Sequence, residues 1–143
     1  MGFEDVRGAI EERLAANWTT TPIQWENVPF VQPSRNAAVP AWISLAIRGN
    51  REGGRASVGT TTPLRRYLYT IINQIFVPEE TGTTLAYQYA DTLGIVWRDV
   101  TFAAGATGTL RCFEPNAVEV GPEGSGWYQL NLITNFQRDD RFL

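Results

Sequence analysis

Leu64-Arg65-Arg66-Tyr67-Leu68-Tyr69-Thr70-Ile71-Ile72-Asn73-Gln74-Ile75-Phe76-Val77 is dense in Tyr, Ile, Thr, Phe and Val and is closed by Pro78. β-branched and aromatic side chains suit a pleated, half-buried surface, so this stretch reads as the longest strand of the chain. Near the end, Trp127, Gln129, Asn131, Ile133 and Asn135 alternate with Tyr128, Leu130, Leu132, Thr134 and Phe136, a period-two pattern that puts one face of a second strand in a core. A polar tail, Arg138-Asp139-Asp140-Arg141, follows.

Between these two strands lie a turn at Glu79-Glu80-Thr81-Gly82 and a helix from about Thr83 to Trp97, with Leu85, Tyr89, Leu93 and Val96 or Trp97 on one face. Gly94 weakens that helix without ending it. A further strand is expected near Thr109 to Phe113, followed by a Gly- and Pro-containing connector. Upstream, Phe3, Val6, Ile10 and Leu14 recur at spacings of three and four with Trp18 beyond them, which predicts an amphipathic helix. Glu4 and Asp5 complement its dipole, and the run Thr19 to Pro22 stops it. Ile23 to Glu26 has room only for a short strand between turn formers. From Pro40, Ile43, Leu45 and Ile47 alternate with Ser44, Ala46 and Arg48 as a clearer one. Gly49 to Ser57, with three Gly, three charges and no apolar residue larger than Ala, reads as an exposed mobile loop or hairpin tip. The order predicts one α+β domain over residues 1–143, a mainly antiparallel β-sheet with two α-helices packed on one face.

The length of 143 residues suits one domain, and 43% hydrophobic content with five Trp suits a packed core rather than disorder. There is no His and a single Cys, Cys112, so Ser-His-Asp and Cys-His nucleophiles, His-based zinc sites and an internal disulfide are excluded. Cys112 reads as a small buried hydrophobe. No run approaches a membrane span. The acidic start at Glu4 and Asp5 does not resemble a signal peptide, so synthesis in a cytoplasm is expected and the sequon Asn17-Trp18-Thr19 has no bearing. All 12 basic residues are Arg, against 15 acidic ones, for a net charge of −3. That balance gives no strong nucleic-acid footprint. The Arg bias fits either protein interfaces or a GC-rich genome.

The segment Gly54-Arg55-Ala56-Ser57-Val58-Gly59-Thr60-Thr61 is the nearest approach to a phosphate-cradling loop, but Thr60 stands where the phosphate-reaching Lys must be, and a strand follows rather than a helix. The paired carboxylates Glu79-Glu80 and Asp139-Asp140 fall in exposed turn and tail segments and read as solvated charge. Asp91 and Asp99 are placed to pair with Arg98 or Arg111. Enzymatic chemistry has no visible carrier, and no metal or cofactor is implied.

Set in order, Asn17-Trp18, the block Thr21-Pro22-Ile23-Gln24-Trp25-Glu26-Asn27-Val28-Pro29-Phe30, Ala41-Trp42-Ile43, Ile75-Phe76-Val77-Pro78, Gly82 with Ala86 and Ala90-Asp91, Trp127-Tyr128-Gln129-Leu130-Asn131 and Phe136 resemble the tail terminator proteins of long-tailed, siphovirus-type bacteriophages. The Pro-Ile-x-Trp-Glu-Asn-Val-x-Phe block is the most specific part. Arg66-Tyr67-Leu68 departs from the family's tendency to Arg followed by Gly, and the connector at 114–126 is long. The resemblance implies a non-enzymatic homohexameric ring at the tail-head junction of the virion, assembled in the host cytoplasm. Such a ring caps the tail tube, stops its polymerisation and joins the head connector, with DNA passing through without specific binding. A head-tail connector or tail tube subunit is the alternative within the same virion neck, and a soluble binding module lies outside it. The sheet edges and the charged residues Arg48, Arg51, Glu52, Arg55, Glu79 and Glu80 are the expected interface. Trp25, Phe30, Trp42 and Trp127 are the expected structural anchors.

Overall fold

The computed structural model describes residues 3–55, 64–122 and 126–141, with residues 50–55, 64 and 141 described by backbone alone. In chain order, α1 (Phe3–Asn17) is followed by β1 (Ile23–Gln24), β2 (Trp42–Ser44), β3 (Ala46–Arg55) and β4 (Leu64–Pro78). Then come α2 (Thr84–Trp97), β5 (Thr101–Ala104), β6 (Gly108–Cys112), β7 (Asn116–Pro122) and β8 (Trp127–Arg141).

The two long strand signals pair with each other. β4 and β8 run antiparallel along their whole length, from Leu64 opposite Arg141 to Pro78 opposite Trp127. Their shared buried face carries Tyr69, Ile71, Asn73, Ile75 and Val77 from β4 and Leu130, Leu132, Thr134 and Phe136 from β8. The next position outward is divided on both sides. β2 and β3 both pair with β4 and are separated by Leu45; β6 and β7 both pair with β8 and are separated by residues 113–115. β1 lies parallel beside β2, and β5 antiparallel beside β6.

The expected mainly antiparallel sheet with two helices on one face is therefore not what forms. The eight strands build a curled, mixed sheet, a half-barrel. The parallel β1–β2 pair arises because β1 is joined to β2 by the irregular crossing segment 25–41 rather than by a hairpin, and parallel neighbours need such a crossover. Register shifts between Gly49 and Arg51, between Glu52 and Gly54 and between Glu119 and Gly121 add bulges, which bend a strand and increase its twist. At the first of these, Gly49 has φ +107°, and a Cβ there would stand 2.9 Å from the Leu68 carbonyl oxygen, so the site requires Gly.

α2 packs on β4 and β8, whereas α1 meets β5 and α2. Val6, Ile10, Leu14 and Trp18 of the first helical face join Leu93, Val96 and Trp97 of the second in one core with the sheet. Phe3, the first residue of that periodic pattern, stays 68% exposed. Asn73 is fully buried: it accepts from Trp97 Nε1 at 3.0 Å and donates to the Ser44 carbonyl at 3.1 Å, tying β4 to α2 and β2. A second cluster stands apart from this core, where Trp42 stacks on Phe76 with ring centroids 3.9 Å apart and meets Trp127 edge-on at 6.2 Å. Phe30, from the crossing segment, packs on the same cluster 5.2 Å from Trp42.

Candidate interaction surface

Because side chains alternate along a strand, β4 and β8 present a second face opposite the core. The register lines up Leu68 with Gln137, Thr70 with Asn135, Ile72 with Ile133 and Gln74 with Asn131 on that face. The neighbours hold one another: Thr70 Oγ1 donates to Asn135 Oδ1 at 3.1 Å, Ser44 Oγ donates to Gln74 Oε1 at 3.1 Å, and Gln129 Nε2 donates to Asn131 Oδ1 at 2.8 Å. At one end Arg66 forms a two-pronged pair with Asp139, through Nε at 2.7 Å and Nη2 at 3.1 Å. This pair holds the Arg66 guanidinium pKa above its ordinary value. A groove of about 510 Å³ runs over this face between Gly49, Leu68, Thr70, Phe113 and Asn135. Beside it, the exposed Arg111 lies over the Phe113 ring at 5.2 Å. The face mixes the amides and hydroxyls of Thr70, Gln74, Asn131, Asn135 and Gln137 with the apolar Leu68, Ile72 and Ile133, and the Arg66–Asp139 pair stands at its margin.

The sheet also ends in two long edges. Among the described residues, β3 pairs only with β4, and β7 only with β8. Every residue of β7 except Gly121 is exposed, and Val118 and Val120 are exposed apolar side chains. Glu119 is fastened inward, accepting from Tyr87 of α2 at 2.6 Å and from Tyr128 at 3.2 Å. The bond to the Glu119 carboxylate pushes the Tyr87 hydroxyl up to about 12.

The expected interface residues fall into two places. Arg48 is exposed and pairs with Glu26 at 2.6 Å, and Glu26 also accepts from the Ile47 backbone N–H at 3.2 Å. Arg51, Glu52 and Arg55 belong to β3 rather than to a loop; their side chains, and residues 56 and 57 of that expected loop, lie outside the described ones. The rejected phosphate-loop segment likewise lies outside them from residue 56 on. Glu79 and the exposed Glu80 occupy the turn after β4, where the Glu79 backbone N–H donates to the Gly126 carbonyl at 3.0 Å and Glu80 has φ +65°. With Arg48 opposite Thr70, the two groups sit at opposite ends of β4, ~25–30 Å apart by strand rise.

Of the expected anchors, Trp42 and Trp127 are buried, while Trp25 and Phe30 are half-buried against the two clusters. Arg98 pairs with Glu114 at 2.9 Å rather than with Asp91 or Asp99. The expected solvated tail is instead strand. Arg138 is 3% exposed, with its guanidinium 4.3 Å from the Tyr67 ring, and the fully buried Asp140 accepts from Thr107 Oγ1 at 2.6 Å. The signal was present: residues 130, 132, 134 and 136 set a period that continues through 138 and 140. Cys112 is fully buried, and desolvation pushes its thiol up to about 12. No group of three or more His, Cys, Asp or Glu able to hold a metal occurs among the described residues.

No family model matches the sequence, and no curated protein matches it. Thirteen solved chains match it in fold. One of them aligns over 100% of this chain and 98% of its own length, with a TM-score of 0.58 at 20% sequence identity. At that identity the likeness is one of fold: a solved protein of nearly the same length follows the same path.

Proposed function

We propose that this chain is a structural protein of a long-tailed bacteriophage that assembles into a ring on the tail tube, stops the tube's growth and offers the head connector a docking surface. The observation that carries the reading is the work done by the block Pro22–Phe30, the part of the sequence most like the tail terminators. Its Glu26 is bonded to β3 and its Phe30 caps the Trp42 cluster, so the block holds the crossing segment on the sheet. A motif that builds the fold in this way fits a structural role.

Two further features support the reading. The sheet keeps two long edges without a second neighbour among the described residues, which suits a subunit completed by its neighbours. The polar face of β4 and β8 is rich in amides and hydroxyls and has its Arg66 neutralised by Asp139. A ring that turned this face toward its channel would hold passing phosphates weakly, because strong phosphate binding needs clustered, unpaired positive charge.

Electron microscopy of the purified protein tests the proposal against its neighbours in the virion neck. Closed rings that do not lengthen with concentration are expected. Long tubes would make the chain a tube subunit. Images of virions without a ring of this chain at the tail-head junction would remove the role altogether.

A further inference from the structure

The segment that crosses from β1 to β2 leaves apolar side chains in solvent at two places, and the charges around them are opposite. The first place is a groove beside α1. Two hollows of about 350 and 320 Å³ share Glu11 and Val28 in their walls, and Ala15, Trp25, Leu45 and Ile47 give them an apolar lining. Val28 is 50% exposed there. Four carboxylates, Glu4, Glu11, Glu12 and Glu26, stand in and around the groove against two guanidiniums, Arg7 and Arg48. Both guanidiniums are engaged, Arg7 by Glu4 and Glu11 together and Arg48 by Glu26. Glu12 is exposed, and its carboxylate has no partner among the described residues. An apolar wall beside an uncompensated carboxylate suits a cationic side chain with a long apolar stem.

The second place is a turn at residues 34–37. The Ala37 backbone N–H donates to the Ser34 carbonyl at 3.0 Å and the Asn36 backbone N–H donates to Ser34 Oγ at 3.2 Å, so the backbone on both sides of Arg35 is fixed. Arg35 is exposed. Among the described guanidiniums it alone lacks an ion pair, a hydrogen bond or a ring to lie on. It passes over Gly126, whose carbonyl already accepts from the Glu79 N–H. Val31, 90% exposed, and Val39, 41% exposed, flank the turn. A cation between two uncovered valines complements the groove in both charge and polarity. Because the turn is already set, seating it costs little further ordering.

Knob and groove lie on different parts of one chain, the groove against α1 and the turn over Gly126, just before β8. A head-to-tail ring needs two such unlike, complementary patches on every subunit. From these observations we infer that the turn at 34–37 of one copy seats in the groove between α1 and residues 25–28 of the next, with the Arg35 guanidinium on the Glu12 carboxylate and the flanking valines over Val28. The inference rests on the ring reading above and specifies its joint.

Three variants of the full chain test it: Glu12→Arg, Arg35→Glu, and the two together. Each is checked for an unchanged circular dichroism spectrum and then followed by native mass spectrometry across concentration. Either single reversal should raise the concentration at half-assembly about tenfold or more, because it sets like charges together in the contact. The double reversal restores the pair with its signs exchanged and should return that concentration to within about threefold of the wild type. Single variants that assemble like the wild type, or a double variant that recovers nothing, overturn the joint and leave the ring standing. A wild-type monomer at every concentration overturns both.

Discussion

Asn73 owes its role to contacts that the pattern of its strand does not display. It sits in a run of apolar strand positions, where an amide is out of place, yet its two hydrogen bonds satisfy the Trp97 indole N–H and the Ser44 carbonyl in the core. Asn73→Leu should destabilise the fold by about 1–3 kcal/mol for each buried group it leaves unpaired. Chemical denaturation measures the loss, and an unchanged midpoint would mean that water reaches both groups. The reading of Cys112 as a buried hydrophobe agrees with its full burial, and its behaviour follows from that. Its pKa rises from 9.0 to about 12 on folding, chiefly by desolvation. The neutral thiol is thus favoured in the folded state, and the stability this provides is complete below pH 9 and lost as pH climbs toward 12. A thiol reagent at pH 8 should leave the native protein unlabelled and label it fully in denaturant. Rapid native labelling would contradict the burial. Arg138 and Asp140 were the residues hardest to see, because their charge suggested solvent while their even spacing from Leu130 placed them on the core side.

Among the elements, those with long periodic patterns were legible: both helices, β4 and most of β8 lie where the spacing of apolar residues puts them. The missed elements share a physical cause. β7 buries none of its residues, so no alternation could mark it, and β5 is four residues long with one buried position. β3 was obscured by Gly49, Gly53 and Gly54, which read as a loop although the chain stays paired with β4 through register shifts. The curl was invisible for a related reason, since it depends on where neighbouring strands break and bulge rather than on the pattern of any one of them. The placement of Arg51 and Arg55 on an edge strand sharpens what their reversal should do. Arg51→Glu with Arg55→Glu is expected to act on assembly rather than on the melting temperature of the isolated chain. Reversed charges set against the acidic groups of a contact cost several kcal/mol, so assembly should fail. Complementation of a phage lacking the wild-type protein reads this out. Normal yields with tails of normal length would show that the strand makes no contact.

For the whole molecule, β3 and β7 of the curled sheet have one pairing neighbour each among the described residues, and the face of β4 and β8 opposite the core carries amides and hydroxyls, while the aromatic cluster under Phe30 holds the crossing segment in place. Under the function proposed above, these are the surfaces that a neighbouring subunit would complete. Glu26 and Phe30 are among the residues that fasten this architecture. Fold and surface were both partly readable from the chain, but the edges became visible only once the pairing of eight strands was known. The most direct test of the central claim is a native mass measurement across a wide concentration range. The account predicts one closed species, most plainly six subunits, that persists without growing as concentration rises. A mass distribution that lengthens without limit, or a monomer at every concentration, would contradict it.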